Sequence, residues 1–294
     1  MFIPQRILEE KLLKLLEEDV GIGDVTSTLI IPPCVHADAI VLAKEAGTVA
    51  GIEEVTILAK SIGLTACAEV ADGDQIKKGQ VLLQITGEAR LILSAERTLL
   101  NLLSRMSGIA TQTRRLATII EKSKSSAKIA ATRKTAPGLL YFDKKAVIIG
   151  GGDPHRFHLD DMVLIKDNHI AIAGSAEAAV KKAKEKGSFS KKIEVEVSSA
   201  EDILKVAKAG ADIIMLDNFV PAQLNRAANI LKEAGYFGKV LLEASGGITE
   251  ENLKEYAKTP VNIISIGALT HSSKALDISV EIVKPQEKKK TNNE

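Results

Sequence analysis

From about residue 126 onward, short runs of branched apolar residues alternate with helical stretches, and this alternation restricts the fold more than any other feature of the chain. The runs are Lys128–Thr132, Met162–Ile165, Ile193–Val197, Ile213–Leu216, Val240–Ala244 and Ile263–Ile266. Helical stretches such as Ser175–Lys186 and Ala200–Ala209 lie between them, the latter closed by Gly210. Near-continuous apolar strands must be covered on both faces, and joining them in parallel requires a crossover that is usually a helix. The pattern therefore predicts a doubly wound sheet or a (β/α) barrel. A complete eight-stranded barrel takes about 250 residues and this region offers roughly 150, so a barrel here would be short of strands.

The preceding half has a different rhythm. Residues 5–18 place Ile7, Leu8, Leu12, Leu15 and Leu16 on one helical stripe. The opposite face mixes both signs of charge, which favours docking on the chain's own core over a membrane surface. Glycines in EDVGIGDVTST break that helix. From about 35 to 90 the pattern becomes short β runs: Ala39–Ala43, Gly47–Gly51, Thr65–Val70 and Val81–Thr86. DGDQIKKGQVLLQITG has the look of a biotinyl or lipoyl carrier hairpin, but without the tight turn presenting a modifiable lysine it reads as structural. Residues 94–121 form the longest helical pattern, with Ser94 as N-cap, Arg97 in the first turn and Gly108 interrupting or kinking it.

Composition narrows the functional classes. Among 294 residues, 39 Lys+Arg oppose 38 Asp+Glu for a net charge of +1, a poor basis for binding nucleic acid or anionic membrane broadly. Two cysteines, Cys34 and Cys67, fit neither a disulfide framework nor a cysteine-rich zinc site and suggest a reducing compartment. Apolar runs such as Val81-Leu82-Leu83 fall far below the roughly 20 residues of a membrane span. The N-terminus is too acidic for a secretory or transit signal. A cytoplasmic globular protein is expected, with a charged, disordered tail from Lys284.

In β/α barrels the carboxyl ends of the strands converge on the face where ligands bind. Here the first run leads to Arg133-Lys134 and the second to Lys166-Asp167-Asn168-His169. The third contains Glu194 and Glu196, the fourth leads to Asp217-Asn218, the fifth to Ser245-Gly246-Gly247 and the sixth to Gly267. Glycine turns free backbone N–H groups, and paired Gly-rich loops after the last barrel strands commonly hold phosphate. Ser245-Gly246-Gly247-Ile248, before a helix that Thr249 would cap, and Ser265-Ile266-Gly267-Ala268 together predict such a cradle. There is no Walker loop and no GxGxxG after a strand.

Arg133, Lys134, His155, Arg156 and Lys166 supply cations with few acidic neighbours, which points to a multiply anionic ligand. Glu196 and Asp217, one β–α unit apart, either share a magnesium ion bridging substrate oxygens or pair with those cations. His155 and His158 lack a third ligand at recognisable spacing, which argues against zinc. No G-x-S-x-G elbow supports acyl transfer.

The segments ATRKTAPGLL, GGGDPHRFHLDDMVLIKDNHI, IEVEVSSAEDILKVAKAGADIIMLDNF, LLEASGGI and SIGALTHS resemble the quinolinate phosphoribosyltransferase family. The likeness extends from EDVGIGDVTS through AERTLLNLLSRMSGIAT to THS, and the order and spacing of TRKT, HR and KDNH make it specific. The resemblance implies an α/β protein with an N-terminal α/β sandwich domain and an incomplete β/α barrel of about seven strands. Its boundaries would be 1–108, with 272–283 packing back on it, then 109–271, then the tail 284–294. The implied reaction joins quinolinate to phosphoribosyl pyrophosphate (PRPP), giving nicotinate mononucleotide, pyrophosphate and carbon dioxide in NAD biosynthesis, with magnesium.

By the same resemblance Arg133, His155, Arg156 and Lys166 would contact the quinolinate carboxylates, and Lys134 would lie between the two substrates. Glu196 and Asp217 would serve the ribose and the metal, and Lys134, Lys166, Glu196 and Asp217 are the catalytic candidates. Ser245, Gly246, Gly247, Gly267 and His271 would form the 5′-phosphate pocket. Arg97 would enter the neighbouring subunit's site, in a homodimer or larger assembly. Two positions depart from the family pattern: Pro154 where Asn is frequent before the HR pair, and Leu140 where a basic residue is common. Rival readings are a related phosphoribosyltransferase acting on nicotinate or another small acid, a sugar-phosphate isomerase or aldolase using Lys166, and a non-catalytic phosphate-ligand sensor.

Overall fold

A computed structural model describes residues 3–286. In chain order the elements begin α1 (Gln5–Val20), α2 (Val25–Ile30), β1 (His36–Ala43), β2 (Gly47–Thr48), α3 (Ile52–Ser61), β3 (Thr65–Ala68), β4 (Gln75–Ile76), β5 (Val81–Glu88) and α4 (Ala89–Lys122). There follow β6 (Lys128–Ala130), α5 (Leu140–Ile149), β7 (Val163–Ile165), α6 (Asp167–Ala173), α7 (Ala176–Lys186), β8 (Ile193–Val197), α8 (Ala200–Ala209) and β9 (Ile213–Asp217). The last are α9 (Pro221–Glu233), β10 (Leu241–Ser245), α10 (Leu253–Tyr256), β11 (Ile263–Ser265), α11 (Ala268–His271) and β12 (Ile278–Gln286). The described residues form two compact units, 3–111 with 273–286, and 112–272. The division falls within α4.

In the first unit an antiparallel sheet runs in the order β12-β1-β5-β3. β1 alternates strictly, burying Ala37, Ala39, Val41 and Ala43, the period-two signature of a sheet with one covered face. Leu8 and Leu12 of α1 are fully buried and Leu15 and Leu16 half-buried, so this part of the N-terminal stripe docks on protein, while Ile7 is exposed. Two helical expectations need correction. α3 falls in the region from about 35 to 90 where only β runs are expected; Ile52, Val55, Leu58 and Ala59 lie on one buried helical face. Its first N–H groups are held by Asp72, whose Oδ1 accepts from Gly51 and Ile52 at 2.8 Å each.

The second correction concerns α4. It starts at Ala89, so Ser94 is an interior residue whose hydroxyl reaches Asp24, the N-cap of α2. Gly108 does not break the helix. A Cβ there would lie 3.0 Å from the Ala275 Cα and against the Lys274 carbonyl, so glycine is required for close backbone approach. The run expected to be disordered from Lys284 first completes β12, where Lys284 pairs with Asp38 and Gln286 with His36. The remainder of that tail, residues 287–294, lies outside the described residues.

The second unit contains a six-stranded parallel sheet, ordered β6-β11-β10-β9-β8-β7. Beside β6, Asp153 forms a parallel bridge to Ala130; its N–H donates to the Ile129 carbonyl at 2.7 Å and its carbonyl accepts from Ala131 at 3.0 Å. The strand count from sequence stopped at six, and this fragment after Gly150-Gly151-Gly152 supplies the further strand position. The stretch before the three glycines is helical, as α5.

Each strand of this sheet has two fates. Val195, Ile214, Leu242 and Ile264 are buried in a core shared with Val180 of α7, Val206 of α8 and Leu224 of α9. The alternate residues Glu196, Met215, Glu243 and Ser265 line a cavity on the other face. The one-residue alternation thus separates an apolar wall from a polar interior.

Candidate active site

The cavity has a volume of about 710 Å³ and is built where the strands of the second unit end. It collects Arg133 and Lys134 after β6, Lys166 after β7, Glu196 from β8, Asp217 from β9, Ser245-Gly246-Gly247 after β10, Gly267 after β11 and His271 from α11. His155 and Arg156 join from the segment after Asp153. All the candidates named from sequence therefore line one space except Arg97, which lies on α4 in the first unit and is not among the lining residues.

Two of the cations, Arg133 and Arg156, are held without a neutralising partner. Arg133 and Arg156 make no ion pair among the described residues; burial, together with the Arg133 charge, pulls Arg156 below the usual guanidinium value. Two like charges kept close in a partly desolvated cavity attract an anion with several acceptor oxygens. Lys134 is fixed through its backbone, whose carbonyl accepts from the Thr270 hydroxyl at 2.8 Å. Lys166 precedes α6, its N–H donating to His169 Nδ1 at 3.0 Å, and its Nζ lies 3.2 Å from Glu196 Oε2.

The glycine loops are shaped by close approach. Gly246 and Gly247 have φ of +88° and +62°, in the left-handed region. A Cβ on Gly246 would lie 3.0 Å from the Asn218 backbone nitrogen and collide with its side-chain amide, whereas one on Gly247 would meet nothing within 4 Å. At Gly267 a Cβ would come within 3.2 Å of both His271 Nε2 and Lys134 Cδ. Thr249 does not cap the following helix as expected, because α10 begins only at Leu253, behind Asn252. The first glycine loop is therefore not followed directly by a helix, whereas Gly267 leads straight into α11.

His155 has a left-handed φ of 53°, and its N–H donates to Asp153 Oδ1 at 2.7 Å. The preceding carbonyl, that of Pro154, accepts from the fully buried Lys144 ammonium. Burial pushes Lys144 down to about 8. Glu194 and Glu243, fully buried, each place Oε2 3.2 Å from His155 Nε2. Glu194 was named from sequence only as a carboxylate of its run and given no role, and Glu243 was missed, although a charge at the third position of LLEAS already breaks an apolar run. The three side chains are close enough to ligate a cation. Burial favours the neutral imidazole, but the two carboxylates outweigh it and hold His155 up at about 10, so Nε2 carries a proton instead of a free lone pair.

Magnesium is a better match to the other carboxylates. Asp217 and Glu196, on adjacent strands, offer hard oxygens to an ion that keeps most of its waters and takes one or two carboxylates plus substrate phosphates. That donor chemistry fits. Asp217 Oδ2 accepts from Asn218 Nδ2 at 2.7 Å, which leaves Oδ1 for such a role.

Comparison with known proteins agrees with this architecture. Residues 24–107 match the family model described as quinolinate phosphoribosyl transferase, N-terminal domain, and residues 109–281 match the corresponding C-terminal domain. A probable nicotinate-nucleotide pyrophosphorylase (carboxylating) of Methanocaldococcus jannaschii is 48% identical over 280 residues, covering 94% of this chain and 97% of that protein. The equivalent protein of Methanothermobacter thermautotrophicus is 44% identical over 269 residues, covering 92% and 96%. Among solved structures, NadC from Streptococcus pyogenes superposes with a TM-score of 0.87 at 34% identity, covering 97% of this chain and all of the other.

Proposed function

The chain belongs to the quinolinate phosphoribosyltransferase family, and from that premise we propose how its residues carry out the reaction. It transfers phosphoribosyl from PRPP to the ring nitrogen of quinolinate and releases pyrophosphate and carbon dioxide, giving nicotinate mononucleotide. The observation that supports the residue assignment is the single cavity in which Arg133 and Arg156, without ion pairs among the described residues, face two carboxylates and two glycine loops. Quinolinate carries two adjacent carboxylates, and Arg133, Arg156, Lys166 and His155 supply enough donors to clamp both. A monoacid such as nicotinate would leave part of that charge unmatched.

The clamp fixes the pyridine nitrogen against C1 of the ribose, and such alignment is worth several kcal/mol of barrier. Glu196 and Asp217 hold the ribose hydroxyls or the metal, and Ser245, Gly246, Gly247, Gly267 and His271 receive the 5′-phosphate. Glu196 and Asp217 would hold a magnesium ion there, which would supply charge neutralisation for departing pyrophosphate. Lys134, between the two substrate regions, adds positive charge where the C–O bond breaks.

The nitrogen lone pair forms the new N–C1 bond as pyrophosphate leaves with the old bond's electrons. The ring is then cationic, and the C2–carboxylate bond breaks to give carbon dioxide. The electron pair left on C2 is stabilised by the adjacent N⁺ and takes a proton from solvent. No general base is needed for either step.

The assembly proposed is at least a homodimer, in which Arg97 of one subunit completes the other's site. The compartment proposed is the cytoplasm, supported by the two free cysteines. No helix among the described residues is long and apolar enough to cross a membrane. The deciding experiment follows carbon dioxide from carboxyl-labelled quinolinate. Release that requires both PRPP and magnesium, with nicotinate a far poorer acceptor, is expected; release without PRPP, or equal use of nicotinate, would overturn the reading.

A further inference from the structure

The mechanism leaves two buried carboxylates without a role. Glu194 on β8 and Glu243 on β10 are fully enclosed, on strands whose neighbouring inward positions carry Glu196 and Ser245 of the cavity. Both approach the same nitrogen, His155 Nε2, at 3.2 Å. The Ser265 hydroxyl donates to the other oxygen of Glu243 at 2.6 Å and fixes that carboxylate. Glu194 makes no hydrogen bond of good geometry. Two carboxylates taken out of water side by side repel one another, and the imidazole between them is the group that compensates. The backbone is built to the same end: His155 is held at a left-handed φ by Asp153, and Lys144 of α5 grips the carbonyl before it.

Resting on the phosphoribosyl-transfer reading, we infer that Glu243, with Glu194, is a positioning residue for substrate recognition: it anchors the His155 ring through Nε2 and leaves Nδ1–H to donate to a quinolinate carboxylate. No protein group accepts from Nδ1 among the described residues, and His155 lines the cavity beside Arg156. With a proton on each nitrogen the ring is a fixed cation throughout the neutral range, so binding of the diacid is insulated from pH near 7. The charged groups around the ring are Glu194 and Glu243 beneath it, Asp153 and Arg156 in its own loop, Lys144 on α5, and Arg133 and Lys166 across the cavity. Of these, the two glutamates alone touch the imidazole, each with one carboxylate oxygen 3.2 Å from Nε2.

The test is Glu243→Gln, which keeps the shape and the Ser265 contact but lets the imidazole lose a proton. Nitrogen-15 NMR of histidine-labelled protein without substrate should show both His155 nitrogens protonated at pH 8 in the wild type, and a titration between pH 6 and 8 in the variant. In steady state, the variant's KM for quinolinate should rise at least fivefold from pH 6 to pH 8, where the wild type changes less than twofold. Its kcat and its KM for PRPP should stay within about twofold. A neutral His155 in the wild type at pH 8, or a variant that loses kcat and both KM values together with no pH trend, overturns the inference. Should Glu243→Gln not fold, Glu194→Gln and the wild-type spectrum decide it. Because the spectrum needs no turnover, it tests the anchoring of His155 by itself, so failure of the anchoring and absence of activity on quinolinate are told apart.

Discussion

Substituting Gly246 by alanine tests the phosphate cradle directly. At φ +88° a side chain is strained by roughly 1–2 kcal/mol. The new Cβ would also press on Asn218, whose N–H donates to the Ser245 carbonyl at 2.8 Å, so relief requires the loop itself to move. A displaced loop N–H loses a charge-assisted hydrogen bond to phosphate worth about 1.5–3 kcal/mol, or roughly a ten- to hundredfold rise in the KM for PRPP. Gly247→Ala is the internal control. It has a similar left-handed φ of +62° but open space around the added carbon, so it carries the strain without the collision and should change that KM severalfold at most. The assay is PRPP saturation at saturating quinolinate, paired with calorimetric binding of quinolinate alone, which both variants should retain. Equal KM changes in the two variants, or loss of quinolinate binding with PRPP unaffected, would refute the reasoning.

Other expectations follow from the same geometry. Arg133→Ala should raise the quinolinate KM by roughly ten- to a hundredfold through loss of a charge-assisted contact, with PRPP changed only a few-fold; equal loss for both substrates would contradict its assignment. Mixing Arg97→Ala with Arg133→Ala protein should restore about a quarter of wild-type activity, since half of randomly paired dimers are hybrids with one intact site each; no recovery despite demonstrated subunit exchange would exclude a shared site. Lys144, lowered to about 8, binds its proton in the unfolded chain but not the folded one between pH 8 and the ordinary 10.5, so its contribution to stability grows with pH across that window. Denaturant titrations should therefore show stability rising less with pH in Lys144→Met than in the wild type, and parallel profiles would disprove the burial argument.

The barrel half was readable because its strands obey a simple rule: Ile193–Val197 and its neighbours are apolar runs bounded by helices with clear caps, such as Ser175 and Ser199. The cavity followed from the same rule, since strand ends converge. What resisted reading had non-local causes. α3 is decided by packing against its own unit, not by its β-branched residues. Gly108 looked like a break because the Lys274 backbone that demands it lies far along the chain. Asp153 pairs with β6 through one bridge, too short to leave a periodic trace. Glu194 and Glu243 sit about fifty residues apart in sequence, and only the register of β8, β9 and β10 brings them to one imidazole.

The antiparallel sheet is completed by a strand made long after its partner. β1 has β5 on one side and β12 on the other, with β12 emerging from the ribosome some 240 residues after its partner. During synthesis β1 waits with one edge bare, a template for pairing with foreign strands, while every strand of the parallel sheet is already available. Removing residues from Ile278 onward would make that vulnerable interval permanent, and aggregation rather than a damaged cavity would be the first symptom.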